Sequence, residues 1–334
     1  MSSDCKIYDT FLFFNELDLL EIRLNYLADH VDKFVIVESC QTFTGNPKPF
    51  YYENNSERFK KFHDKIIHIK IKDSHQDYNS LTSYLSSNNS EINKKLFSIM
   101  DNHVHYSKEV LHWVLDSYHR ECIHIGLSQY AKDEDIILLS DLDEIPSAQI
   151  FSFFKENQYK VQSQVCLQKE FRYFLNYFYS NNWLGTIFGN YHNIKNLSLN
   201  ELRVDSKEKR TLVSKALFED GGYHFTSCGG VEMIIKKIKS WGHQEFNTKA
   251  VLENISYNIS TGQDIFQRET GTKLKLISLD DSTYFDQEMN KLIKLFPKLY
   301  SEEKILDVKR SVPKEFRYFL KKVKDKLFRI LNLS

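Results

Sequence analysis

The chain has 334 residues, 45 basic against 45 acidic side chains, and a 14% aromatic share with 25 Phe and 19 Tyr but only 5 Pro. Such a length buries a full core and excludes a small cross-linked fold, and the balanced charge removes the basic field that attracts a nucleic-acid backbone, so no nucleic-acid partner is expected. Cys5, Cys40, Cys122, Cys166 and Cys228 are odd in number and scattered, with no Cys-x-x-Cys spacing, which excludes a disulfide framework or zinc knuckle and suits a reducing compartment.

In chain order, Ile7 to Phe14 is an apolar run of strand length, and Glu16 to Leu27 follows with leucines at helical spacing. Phe34 to Glu38 and Ile66 to Ile71 predict two further strands, with a helical pattern from Asn55 to Phe62 between them. Ser74 to His105, rich in Ser and Asn, reads as a surface insertion or mobile loop. A helix is expected over Lys108 to Gln129, then a strand at Ile136 to Leu139. Beyond Pro146, Ser147 to Asn157 reads as helix, Val161 to Tyr179 as strand, and Glu201 to Arg210 as a charged loop. Strands alternating with helices predict a doubly wound, mostly parallel sheet with helices on both faces. From Pro313 an apolar stripe of Phe316, Phe319, Leu320, Val323, Leu327, Ile330 and Leu331 is flanked by basic residues, a C-terminal amphipathic helix.

The segment Ser140-Asp141-Leu142-Asp143-Glu144-Ile145-Pro146 directly follows a buried-looking strand. In open α/β sheets that carboxyl edge is where ligands bind. Two carboxylates two positions apart in a turn converge on one hard divalent cation, Mn²⁺ or Mg²⁺, whose other ligands would be diphosphate oxygens.

Four blocks carry a family resemblance: Tyr8 to Leu24; Val35 to Ser39 with Thr42 to Pro49; the Asp-x-Asp-Glu-Ile-Pro segment with Trp113 and Arg120 upstream; and Gly221 to Phe225 with Gly229 to Glu232 and His243 to Asn247. In these the chain resembles the glycosyltransferases typified by the bisecting enzyme of N-glycan synthesis, β-1,4-mannosyl-glycoprotein 4-β-N-acetylglucosaminyltransferase. The resemblance implies a GT-A-like fold, a UDP-sugar donor with N-acetylglucosamine as the expected sugar, an Asp-x-Asp metal site, and inverting transfer to a glycan or glycolipid acceptor. It departs from the family at Asp116 and His119, where members usually carry Glu and Gln.

On this reading residues 1–146 form the nucleotide-sugar half, 147–300 the acceptor and catalytic half, and 301–334 a basic tail. Asp141 and Asp143 are the expected metal ligands, with His224 or His243 a third, neutral one. Asn15, Glu16, Arg23, Glu38 and Arg120 are candidates for the donor site, Asn15 and Glu16 because they open the first helix, where free N–H groups favour phosphate. An inverting transfer needs a carboxylate to take the acceptor hydroxyl proton; Glu232, after the Gly229-Gly230 turn, is the first choice, with Glu144 and Glu245 in reserve. The absence of a leader or membrane-spanning run predicts a cytoplasmic enzyme, with the basic tail suited to peripheral contact with the anionic inner membrane surface. Two other functions are weighed: a nucleotidyltransferase acting on a sugar phosphate, which lacks the expected Gly-rich phosphate loop here, and a non-catalytic glycan-binding protein on a transferase scaffold, against which the intact acidic residues argue.

Overall fold

The β-branched runs become strands buried on both faces, as a parallel sheet covered by helices requires. In the computed structural model, which describes residues 5–268, 271 and 273–306, β1 (Ile7–Leu12), β2 (Lys33–Ser39), β3 (Ile66–Ile71) and β4 (Ile136–Asp141) pair in parallel in the order β3-β2-β1-β4. Phe11, Phe34, Ile36 and Leu138 pack on one face with helix Leu17–Leu27. Val35, Val37, Ile137 and Leu139 pack on the other with helices Leu111–Glu121 and Ile123–Tyr130. Successive strands leave β1 in opposite directions, so the switch point of the sheet falls between β1 and β4, where the Asp-x-Asp segment begins.

Past that segment the sheet becomes mixed. Its further strands are β5 (Glu144–Pro146), β6 (Gln164–Arg172), β7 (Tyr177–Asn190), β8 (Leu217–Phe218), β9 (Gly222–Thr226) and β10 (Lys275–Leu276). β7 runs antiparallel to β4 and β6, β9 lies parallel beside β6, and β5 closes the order antiparallel to β9. Gly222 permits the last pairing: its φ is +119° and a Cβ there would sit 2.1 Å from the Ile145 carbonyl oxygen. The register sets His224 opposite Glu144 on one side and Glu170 on the other. The α/β architecture expected from the sequence is the observed one: a large, mostly parallel sheet with helices.

Three local expectations are corrected. The Ser74–His105 segment is a helical hairpin, Tyr78–Ser87 and Glu91–Asn102, because Leu81 and Leu85, and Leu96 and Met100, recur four residues apart and are buried. Asp77 and Ser90 cap the two helices, leaving Asn88 and Asn89 as the turn. The supposed loop Glu201–Arg210 is largely helix Leu199–Lys207. The helix expected over Lys108–Gln129 is divided at Cys122. The C-terminal amphipathic stripe lies outside the described residues, among which no helix is long and apolar enough to cross a membrane.

Candidate active site

The turn after β4 is held from below by Arg23. This fully buried guanidinium pairs with both oxygens of Asp9, at 2.8 and 2.6 Å, and donates to the carbonyls of Asp141, Leu142 and Glu144 at 2.8–3.0 Å and to Ser140 Oγ at 2.7 Å. Arg23 therefore shapes the turn from within the core and does not line the cavity above it.

The Asp141 side chain is gripped by two cations. Arg120 Nη1 donates to Oδ1 at 2.8 Å and Arg203 Nη2 to Oδ2 at 2.5 Å. Burial would raise the Asp141 carboxyl pKa, but these two charges outweigh it and hold the group far below the usual range. Arg203 also forks onto Glu144, at 2.8 and 2.6 Å, and Glu144 accepts from Trp183 Nε1 at 2.7 Å and from the Asp141 amide at 3.0 Å. Glu144 is thus a fully buried brace behind the turn. The two arginines meet because of their shared neighbour: buried Glu121, next to Arg120, accepts from Ser198 Oγ and from the Leu199 and Asn200 amides at 2.6–3.0 Å, docking the helix that carries Arg203.

Asp143 has different company. Lys237 Nζ lies 3.1 Å from Oδ2, and His224 Nε2 lies 3.8 Å from Oδ1, beyond hydrogen-bond range. His224 stacks on Trp183 with ring centroids 4.0 Å apart, and its buried Nδ1 has no hydrogen-bond partner. Burial lowers the His224 pKa, keeping the imidazole neutral, the form that binds metals. Both Asp141 oxygens are already taken, so among the Asp-x-Asp carboxylates Asp143 has the freer oxygen. Among the described residues no three His, Cys, Asp or Glu side chains converge on a metal-sized site. Asp143 with His224 fits a divalent cation only as a partial set, one that phosphate oxygens of a ligand would have to complete.

Above the turn opens a cavity of about 450 Å³. One wall, from the ends of β1 and β2, the following loop and helix Leu111–Glu121, presents Leu12, Phe13, Val37, Ser39, Phe43 and His119. Across the turn stand Arg120, Arg203, Lys207 and Lys237, and a further wall from β6, β9 and the 264–268 segment presents Glu170, Arg172, Thr226, Asp264 and Arg268. Trp241, Phe246 and Phe266 form an aromatic cluster with centroids 4.7–6.2 Å apart. Four cavity-lining residues, His119, Arg120, His224 and Trp241, each carry a buried nitrogen without a partner. Buried polar groups are normally satisfied, so this concentration marks a surface shaped for a ligand.

Of the residues singled out in the sequence, Glu16, Arg120, Asp141, Asp143, His224 and His243 line this cavity, and Asn15, Arg23, Glu38, Glu144, Glu232 and Glu245 do not. Glu38 is fully buried and accepts from Lys48 Nζ, the Tyr51 and Tyr52 amides and His68, which anchors the following loop. Glu232 is exposed on helix Gly230–Ser240. At ~100° per residue it points about 140° away from Lys237, the side chain that this helix turns towards Asp143. His243 pairs with Glu245 at 2.7 Å and makes no ion pair with either aspartate. Sequence reasoning missed Arg203, Lys207, Trp183, Lys237 and Glu170. Ser198-x-x-Glu201 was a legible helix-start signature that would have put Arg203 and Lys207, four apart, on one face.

Residues 1–104 match the family model of Glycosyltransferase family 17, the family that the sequence resembles. No curated protein matches the chain. Among solved structures, it is similar to the mannosyltransferase PcManGT from Pyrobaculum calidifontis in complex with GDP-Man and Mn²⁺, at 9% identity over 72% of this chain and 62% of that one, TM-score 0.34. It is also similar to mouse xyloside xylosyltransferase 1 in its apo form, at 11% identity over 61% of this chain and 76% of that one, TM-score 0.26. The chain thus spans under two thirds of the mannosyltransferase. The family match supports a glycosyl-transfer role.

Proposed function

We propose that the protein is a metal-assisted inverting glycosyltransferase that moves a sugar, N-acetylglucosamine by family resemblance, from a UDP-sugar to a glycan acceptor with β linkage. The observation that carries this reading is the Asp-x-Asp turn at the β1/β4 switch point, facing a cavity with clustered cations and aromatic rings. In this proposal residues 1–146 bind the donor and 147–300 receive the acceptor.

A divalent cation, Mn²⁺ or Mg²⁺, held by Asp143 and His224 would supply positive charge to the departing diphosphate. Lys237, Lys207, Arg203 and Arg120 surround the same turn and stabilise charge on the leaving oxygens. Asp141 works through the arginines it orients: with both oxygens in ion pairs, it fixes two guanidinium groups at the cavity. The aromatic cluster offers apolar faces to an acceptor sugar.

The base passes from Glu232, which is outside the cavity, to Glu170. Glu170 lines the cavity beside His224 in register, accepting from Arg172 Nε at 2.6 Å and from Ser180 Oγ at 3.4 Å. A carboxylate there takes the acceptor hydroxyl proton as the oxygen attacks the anomeric carbon.

Sugar transfer and donor hydrolysis measured with Mn²⁺, with Mg²⁺ and with EDTA test the central claim. Wild type is expected to need the cation, and Asp143→Ala to lose about 10²- to 10³-fold in turnover. Full turnover in EDTA removes the cation from the reading, and pyrophosphate release from a nucleoside triphosphate would replace transfer by nucleotidyl chemistry.

A further inference from the structure

The cavity wall at the ends of β1 and β2 is richer in apolar side chains than the rest, with Glu16, Lys48 and Asp116 as its charged members. Its polar groups are nearly all engaged: Gln41 exchanges two hydrogen bonds with the His75 backbone at 3.1 and 2.7 Å, Thr42 Oγ1 meets Thr44 Oγ1 at 2.9 Å, and Ser39 Oγ accepts from the Gln41 amide at 3.1 Å. His119 is not. Its side chain lines the cavity in a residue only 5% exposed, Nε2 is buried without a partner, and the Phe43 ring lies 5.4 Å away. A buried unpaired ring nitrogen is costly unless something completes it.

We infer that His119 and Phe43 form the nucleobase subsite of the cavity, with His119 Nε2 hydrogen-bonding the edge of the base and the Phe43 ring packing against it. The inference rests on the nucleotide-sugar reading and deepens it. A nucleoside diphosphate has a flat, neutral heterocycle at one end and concentrated negative charge next to it. This cavity has the matching sequence of surfaces: a largely apolar wall with a spare ring nitrogen, adjoining a turn ringed by Arg120, Arg203, Lys207 and Lys237. Burial keeps the imidazole neutral, its pKa lowered to about 3. It therefore meets the ligand as a neutral donor or acceptor, suited to a base edge, and not as a cation suited to phosphate.

The test is calorimetric titration of the full chain at fixed Mn²⁺ with pyrophosphate and with whichever of UDP, GDP, ADP and CDP the wild type binds most tightly. His119→Leu is expected to weaken the nucleotide about tenfold and to leave pyrophosphate within about twofold. The same variant should melt at a higher temperature than wild type without ligand, because the unsatisfied nitrogen is gone. His119→Gln, which keeps a polar edge, should stay within about threefold of wild type. Phe43→Ala gives an independent arm, with a roughly fivefold loss for the nucleotide and none for pyrophosphate. Unchanged nucleotide affinity in His119→Leu and Phe43→Ala, or equal losses for nucleotide and pyrophosphate, overturns the inference. Failure of the wild type to bind all four nucleotides overturns the donor reading itself, a distinguishable result.

Discussion

The two halves of the sheet meet the cavity in different ways. On the parallel side, β1 to β4, the charged groups are mostly spent inside the protein: Arg23 on Asp9 and the turn carbonyls, Glu38 on Lys48 and the loop amides. What this side shows to the cavity is a largely apolar wall. On the mixed side, β6, β9 and helices Leu199–Lys207 and Gly230–Ser240 deliver Glu170, Arg172, Arg203, Lys207, His224 and Lys237 to the same space. The division suggests that one half recognises while the other half neutralises charge and moves protons. The two aspartates of the motif repeat it in miniature, Asp141 tied at both oxygens by arginines and Asp143 tied at one by Lys237, with the other turned towards a histidine.

If proton transfer belongs to the mixed half, Glu170→Gln should bind UDP as wild type does yet lose about 10³-fold in kcat, roughly 4 kcal/mol of barrier. Single-turnover assays beside UDP titration would check this. Near-normal kcat would break the division, and a parallel loss of UDP binding would make Glu170 part of the donor site. The next largest effect concerns stability. Arg203→Met leaves the fully buried Glu144 carboxylate without its forked partner, which should lower unfolding free energy by roughly 3 kcal/mol in urea melts at neutral pH. The sign follows from the pKa: paired Glu144 is held below the ordinary carboxylate range because the Arg203 charge outweighs the effect of burial. Its contribution is therefore present at neutral pH and lost only as pH falls through that depressed value. The variant should lose its excess instability in acid, where an unpaired Glu144 is protonated.

The parallel half was also the legible half. Ile136 to Leu139 and Phe34 to Val37 are runs that only a strand covered on both faces explains, and the Asp-x-Asp turn announces itself by following one. The mixed half was harder because its functional groups come from separate elements whose meeting depends on register and helix docking. Glu170 is one of many charged residues in the sequence until β6 pairs with β9 and puts it beside His224. Arg203 gained its place when buried Glu121 capped a helix starting 77 residues downstream, at Ser198. Glu232 falls outside the cavity for a reason of helical phase: the glycine turn and the helix start are where the sequence put them, but the carboxylate is exposed on the outer face. The Ser74–His105 expectation failed because serine and asparagine outnumber the four buried side chains that fix its two helices.

The smallest expected effect sharpens the comparison most finely, because it asks which cation of the charged half responds to pH. Burial, reinforced by the charge of Arg203, lowers the Lys207 pKa to about 8, whereas Asp143 outweighs burial at Lys237 and keeps that ammonium charged well above neutrality. A bound diphosphate favours the protonated lysine, so above about pH 8 binding must take up a proton and affinity falls by up to about tenfold per pH unit. UDP affinity measured between about pH 7 and 9 should therefore decline in wild type and stay flat in Lys207→Met, which starts about tenfold weaker. Stability of the unliganded chain runs the other way. Between about 8 and the ordinary lysine value of 10.5 the unfolded chain holds a proton that the folded one has released, so folding stability rises with pH over that interval. Affinity falling while stability rises, both cancelled by one substitution, is a signature that a lysine titrating at its ordinary value cannot give.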